Sequence, residues 1–218
     1  MNHTESIIMG QKLKKQRIMT AAQIILLLVA SVVIRYLIRQ VTFLYAGHTE
    51  FLDRMGSMSA DLVLMGILFV VAGKSRIGLS VVPKTLSWHY VVMEVIFAIG
   101  VWGNSPQSLQ SALVLIYAGV ITPVFEEMLF RGYIWNRIHQ VCSNRWIVYV
   151  IVTVLFGIWH IAYTDSIAYR ISDGLYSIMI WKVITGMCFG VLLGAVRMKS
   201  DNCFATMLVH GTWNLFTR

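Results

Sequence analysis

Glu126 and Glu127 stand side by side, and Arg131 follows four residues later, in a stretch from Thr122 to Tyr133 that is otherwise almost wholly apolar. Glu127 and Arg131, at i and i+4, share a helix face, so the guanidinium can hold that carboxylate ionised through a bidentate contact. Glu126 is rotated about 100° from its neighbour and has no partner one turn away, which leaves it as the acid free to act as a general base. Two further polar outposts lie in later apolar runs: His160 in Phe156-Gly-Ile-Trp-His160, and His210 with Asn214 in His210-Gly-Thr-Trp-Asn214. His210 and Asn214, again i and i+4, form a pair suited to binding an oxyanion or orienting a ligand. Ionisable groups at membrane depth are expensive and mark functional sites, with purely structural pairing as the competing reading. A structural ion pair accounts equally well for Glu127 with Arg131, and interhelical hydrogen bonding for His210 and Asn214.

These groups need elements that hold them in a membrane. The chain has 218 residues, 57% hydrophobic and only 13% charged, against about 25% charged in soluble domains. It therefore reads as an all-α polytopic transmembrane bundle of about seven to eight helices. Residues 1–17 read as a cytoplasmic N-terminal segment, and residues 18–218 as one transmembrane domain with the chemistry in 109–216. Apolar runs span Ile18–Ile38, Leu62–Gly73, Trp88–Trp102, Leu109–Phe125, Trp146–Tyr163, Ser177–Val196 and Phe204–Phe216. Residues 109–140 can be one kinked helix or two elements.

With seven spans and a cytoplasmic start, twelve Lys and Arg residues fall inside, from Lys12 to Lys199. Five fall outside: Arg35, Arg39, Arg54, Arg170 and Arg218. That asymmetry follows the positive-inside rule and predicts a multi-pass protein of the cell membrane. The net charge of +8 is thus loop charge, and no nucleic-acid partner is expected. Cys142, Cys188 and Cys203 are too scattered for a disulfide framework. Glu94 and Lys182, both within apolar runs, are expected to pair with each other. Gly186, Gly190 and Gly194 form a small-residue stripe for close packing, either within the bundle or in a dimer.

The turn near Ser143 connects the first two clusters. Glu126 lies seventeen residues before it and His160 seventeen after it, so both reach about 25 Å from the turn in an antiparallel pair. His210 is only ten residues past Ser200 and is expected to lie shallower unless the last helix is tilted or offset.

Glu126-Glu-x-x-x-Arg131, Phe156-x-x-x-His160 and His210-x-x-x-Asn214, in that order in apolar helices, resemble the three motifs of the CPBP family, the CAAX-processing and bacteriocin-processing (Abi-type) intramembrane proteases. The resemblance covers about residues 109–216. It implies an endopeptidase in which Glu126 and His160 activate water, His210 and Asn214 bind the scissile carbonyl oxygen, and Glu127 and Arg131 support the site. The implied substrates are hydrophobic or lipidated peptides or proteins, including bacteriocin precursors. The family includes proteins read as metalloproteases and as glutamate-dependent proteases. Zinc held by Glu126, His160 and His210 fits the first kind, although the local His-Glu-x-x-His arrangement is missing. Two other classes stay open: a non-proteolytic membrane partner, such as a self-immunity or signalling scaffold, and a proton-coupled transporter.

Overall fold

The computed structural model describes residues 3–83, 85 and 87–217; Lys84 and Arg218, both counted in the charge asymmetry, lie outside them. Among the described residues the chain is a bundle of seven helices without strands: α1 His3–Ala46, α2 Glu50–Ser75, α3 Trp88–Gly103, α4 Leu109–His139, α5 Arg145–Ala168, α6 Leu175–Ser200 and α7 Phe204–Phe216. Five of them (α1, α2, α4, α5 and α6) are long and apolar enough to cross a membrane. The expectation of seven full spans is corrected here: α3 has 16 residues and α7 has 13, or roughly 24 and 20 Å of helix, against a hydrocarbon core of about 30 Å.

The polar stretches expected as loops are largely helical. Helix α1 begins at His3 rather than near Ile18, and α2 begins at Glu50, well before the apolar run at Leu62. Buried ion pairs explain the second extension. Arg35 of α1 pairs with Asp61 of α2, and Arg39 with Asp53 of α2 and Asp165 of α5. Asp53 also accepts from Ser166 Oγ at 2.5 Å and from Arg170 at 3.2 Å. Three of the arginines assigned to outer loops are thus ligands of carboxylates that clip α1, α2 and α5 together. At the opposite end, Arg17 donates to the Val141 carbonyl at 3.2 Å and Arg145 to the Met198 carbonyl at 3.0 Å.

Helix α4 runs through the centre, and residues 125–135 are all buried. It is one continuous helix interrupted by two π-turns, Tyr117–Ile121 and Met128–Ile134. Pro123 accounts for the first. It lacks an N–H, and its ring would collide with the carbonyl four residues back. The turn before it widens, so that Thr122 N–H reaches back five residues to the Tyr117 carbonyl.

Helix α7 packs against that widened turn. A Cβ on Gly211 would stand 2.4 Å from the Gly119 carbonyl oxygen, and a backbone atom cannot rotate away. Gly211→Ala is therefore expected to lower stability by about 1–3 kcal/mol, read as a lower thermal unfolding midpoint in detergent; an unchanged midpoint would contradict this packing.

The glycine stripe of α6 is consumed inside the bundle. Gly186 receives the His160 ring, Gly190 the side chains of Phe156 and Thr153, and Gly194 the ring of Tyr149. The face considered for a dimer is therefore occupied by α5.

Candidate functional site

The three clusters meet. Glu126, Glu127 and Arg131 project from the buried middle of α4, with 2%, 0% and 0% exposure. Glu126 Oε1 accepts a hydrogen bond from Trp159 Nε1 at 3.0 Å and another from the Tyr163 hydroxyl. Its Oε2 faces His210 Nε2 at 3.8 Å. Glu127 Oε1 accepts from Arg131 Nη1 at 2.9 Å and from His210 Nδ1 at 3.0 Å. Because the partner is a carboxylate, Nδ1 of His210 is the donor, and Nε2 is left to face Glu126.

The Arg131–Glu127 contact uses one oxygen rather than the bidentate fork expected. The guanidinium is instead shared: Nη2 donates to the Gly190 carbonyl at 3.3 Å, and its carbon lies 4.1 Å from the Phe156 ring centroid. Arg131 thus ties α4 to α5 and α6 as well as to its own neighbour, and it is no inner-loop charge.

His160 lies where α5 tightens into a 3₁₀ turn, His160–Tyr163. Its Nδ1 is 2.8 Å from the Phe156 carbonyl oxygen, so Nδ1 carries the proton and Nε2 keeps its lone pair. Among the described residues no hydrogen bond joins His160 to Glu126, whose partners are Trp159 and Tyr163. Both imidazoles flank the Phe156 ring, at 5.0 and 6.0 Å between centroids.

His210 arrives at this depth because the α6–α7 connection is itself inside the molecule. Asn202 and Cys203 are buried, and Cys203 N–H donates to the Ser80 carbonyl at 2.9 Å. Helix α7 therefore starts from an offset position, which removes the expected shortfall. Burial, reinforced by the Glu127 charge, pushes the Cys203 thiol up to about 12. Asn214 donates to the Ala118 carbonyl of the first π-turn at 2.9 Å; an amide nitrogen has two N–H groups, so one remains for a ligand.

A cleft of about 420 Å³ opens between α6 and α7. His160, His210 and Asn214 line it, together with Lys182, Phe189 and Trp213. Glu126 lies behind the two imidazoles. Among the described residues no three His, Cys, Asp or Glu side chains come together in a way that would hold a metal ion. Glu126, His160 and His210 are not gathered into such a group in this structure; both Nδ1 atoms are committed, which leaves the two Nε2 atoms as the positions that would hold a zinc ion.

Several contacts of the site were not legible in the sequence. Trp159, which the motif spacing leaves without a role, is a donor to Glu126. Tyr163 is a second donor, and Arg35 lies 4.7 Å from its ring centroid, itself paired with Asp61. Thr122 Oγ1 reaches Asp61 Oδ2 at 3.4 Å. The available signal was an arginine inside an apolar run and an aspartate at the head of the next. Glu94 and Lys182 do not pair: no ion pair joins them among the described residues, and the Lys182 ammonium lies instead over the Tyr163 ring, 5.8 Å from its centroid.

A protein-family profile described as type II CAAX prenyl endopeptidase Rce1-like matches residues 107–216, the segment that carries all three clusters. A relative described as UPF0177 protein YxdF, from Lactococcus lactis subsp. lactis (strain IL1403), is 25% identical over 153 residues, which is 70% of this chain and 72% of the relative. No solved structure matches the chain. With half of its length matched and the glutamate, histidine and asparagine clusters gathered in one buried place, this multi-pass membrane protein belongs to the type II CAAX prenyl endopeptidase Rce1-like family.

Proposed function

We propose that this protein is an intramembrane endopeptidase that hydrolyses a peptide bond in a membrane-associated substrate with water activated by Glu126. One observation carries the reading: a carboxylate at 2% exposure, fixed on one oxygen by Trp159 and Tyr163, turns its other oxygen to His210 at the back of a cleft lined by His160. In this scheme Glu126 takes a proton from water while the water oxygen attacks the scissile carbonyl carbon, and the His160 Nε2 lone pair orients that water. The developing oxyanion is stabilised by the free N–H of Asn214 and by His210 in the form whose Nε2 also carries a proton, since Nδ1–H is committed to Glu127. The proton on Glu126 passes to the departing amine as the C–N bond breaks, which gives a carboxylate and an amine. Glu127 and Arg131 support the site by holding His210.

The family description, which names prenyl endopeptidases, and the lateral, partly apolar cleft both support a peptide whose hydrophobic or lipidated part stays in the bilayer. The gathering of Arg17, Arg137, Arg145 and Lys199 toward one end supports a cytoplasmic N-terminus.

The test is purified protein in liposomes, given apolar peptides inside the membrane and a pH-sensitive dye within the lumen. Peptide cleavage without proton flux is the expected result. Flux without cleavage would replace the reading with a carrier, and neither would leave a non-proteolytic partner.

A further inference from the structure

Lys182 is the one lysine, arginine, aspartate or glutamate among the described residues lining the α6–α7 cleft. It lies one helical turn before Gly186, on the same face of α6, and Gly186 is where the His160 ring rests: a Cβ there would be 2.7 Å from Nδ1. The ammonium lies over the Tyr163 ring, whose hydroxyl donates to Glu126. Among the described residues it makes no hydrogen bond and no ion pair, whereas Arg35, Arg39, Arg131 and Arg170 all have carboxylate partners. A cation within an apolar span that no carboxylate touches is an expensive feature open to a partner; the Glu126 carboxylate that attracts it is committed to Trp159, Tyr163 and His210. The walls beside it are apolar, from Phe189, Leu192 and Trp213.

From this arrangement we infer that Lys182 sets substrate choice: the cleft takes an apolar peptide that carries a carboxylate close to the bond to be cut, and that carboxylate pairs with the Lys182 ammonium. The inference rests on the peptidase reading and deepens it. Lys182 and His160 are neighbours across one helical turn, so the carboxylate lies within about three extended residues of the scissile bond. It comes from an acidic side chain or from the free end of the chain.

The probe is a set of apolar peptides of randomised sequence in four forms: free C-terminal acid, C-terminal amide, amide with one glutamate, and amide with one lysine. Purified full-length protein in detergent micelles cleaves them, and mass spectrometry counts the products. Wild type is expected to favour an acid-bearing form over the plain amide by about tenfold or more in kcat/KM, the scale of one partly desolvated charge pair. Preference for the free acid or for the glutamate form identifies the source of the carboxylate.

Lys182→Met is expected to bring that ratio close to one, Lys182→Arg to keep it, and Lys182→Glu to turn the preference toward the lysine form. A role in packing alone moves none of these ratios. Equal wild-type rates on all four forms would overturn the inference and leave the peptidase intact, as would an unchanged ratio in Lys182→Met, the behaviour of a lysine that merely extends its amine toward the membrane surface. No cleavage of any form by wild type would instead sink the peptidase reading itself. If Lys182→Met fails to fold, the wild-type acid-to-amide ratio and Lys182→Arg still decide.

Discussion

Glu126→Gln is expected to abolish peptide hydrolysis, by about a thousandfold or more, and to leave the bundle standing. Glutamine keeps an oxygen where Oε1 accepts from Trp159 and Tyr163, so neither buried donor is orphaned. It cannot take a proton from water, and loss of a general base costs about 10²–10⁴-fold; loss of the charge beside His210 adds to that. Glu126→Ala is the harsher change, because it strands the indole N–H and the hydroxyl inside the protein. Cleavage rate and thermal midpoint should be measured on the same detergent preparation. Glutamine at full speed with an intact fold would remove Glu126 from the chemistry, however well placed it is.

Removing one partner of the Arg35–Asp61 pair is expected to cost about 3–5 kcal/mol, because the other charge stays buried without compensation. Both side chains are buried, with Asp61 at 0% exposure. Arg35→Leu and Asp61→Leu should each lower the unfolding midpoint sharply. The double variant should be far less damaged than the sum, since two apolar residues can replace a buried pair at little net loss. Additive losses would show that the pair is not coupled. Activity separates from stability here: the double variant regains its fold but still lacks the cation under Tyr163, so the hydroxyl that holds Glu126 is less well fixed and cleavage stays below wild type.

Glu126 and the Trp159–Tyr163 segment lie level because depth in an antiparallel helix pair follows from residue counting alone. Glu126 meets Trp159 and Tyr163, the residues either side of the equal-depth position, and His160 faces the same cleft. The meeting with His210 could not be counted in the same way. It depends on a connection at Asn202 and Cys203 that folds inward onto Ser80, a contact across more than a hundred residues that leaves no local pattern. Helix boundaries failed at the polar stretches for a related reason. Arg39, Asp53 and Asp61 read as loop composition until their partners on other helices are known, and only then do they read as buried clips. One kinked helix or two elements stayed open for residues 109–140, and nothing in the sequence showed that a five-residue turn ahead of Pro123 would keep the helix continuous.

The shortness of α3 and α7 has a consequence for the surrounding lipid. A leaflet cannot leave hydrocarbon facing bare water beside helices of roughly 20 and 24 Å, so acyl chains on that flank compress and headgroups sink toward the midplane. Solvent is thereby carried closest to the groove beside His210, supplying a reactant that the bilayer otherwise withholds. Host membrane thickness is then expected to set the rate of the proposed hydrolysis, fastest in short-chain lipids and slower as acyl length grows, as cleavage assays in liposomes of graded chain length would show.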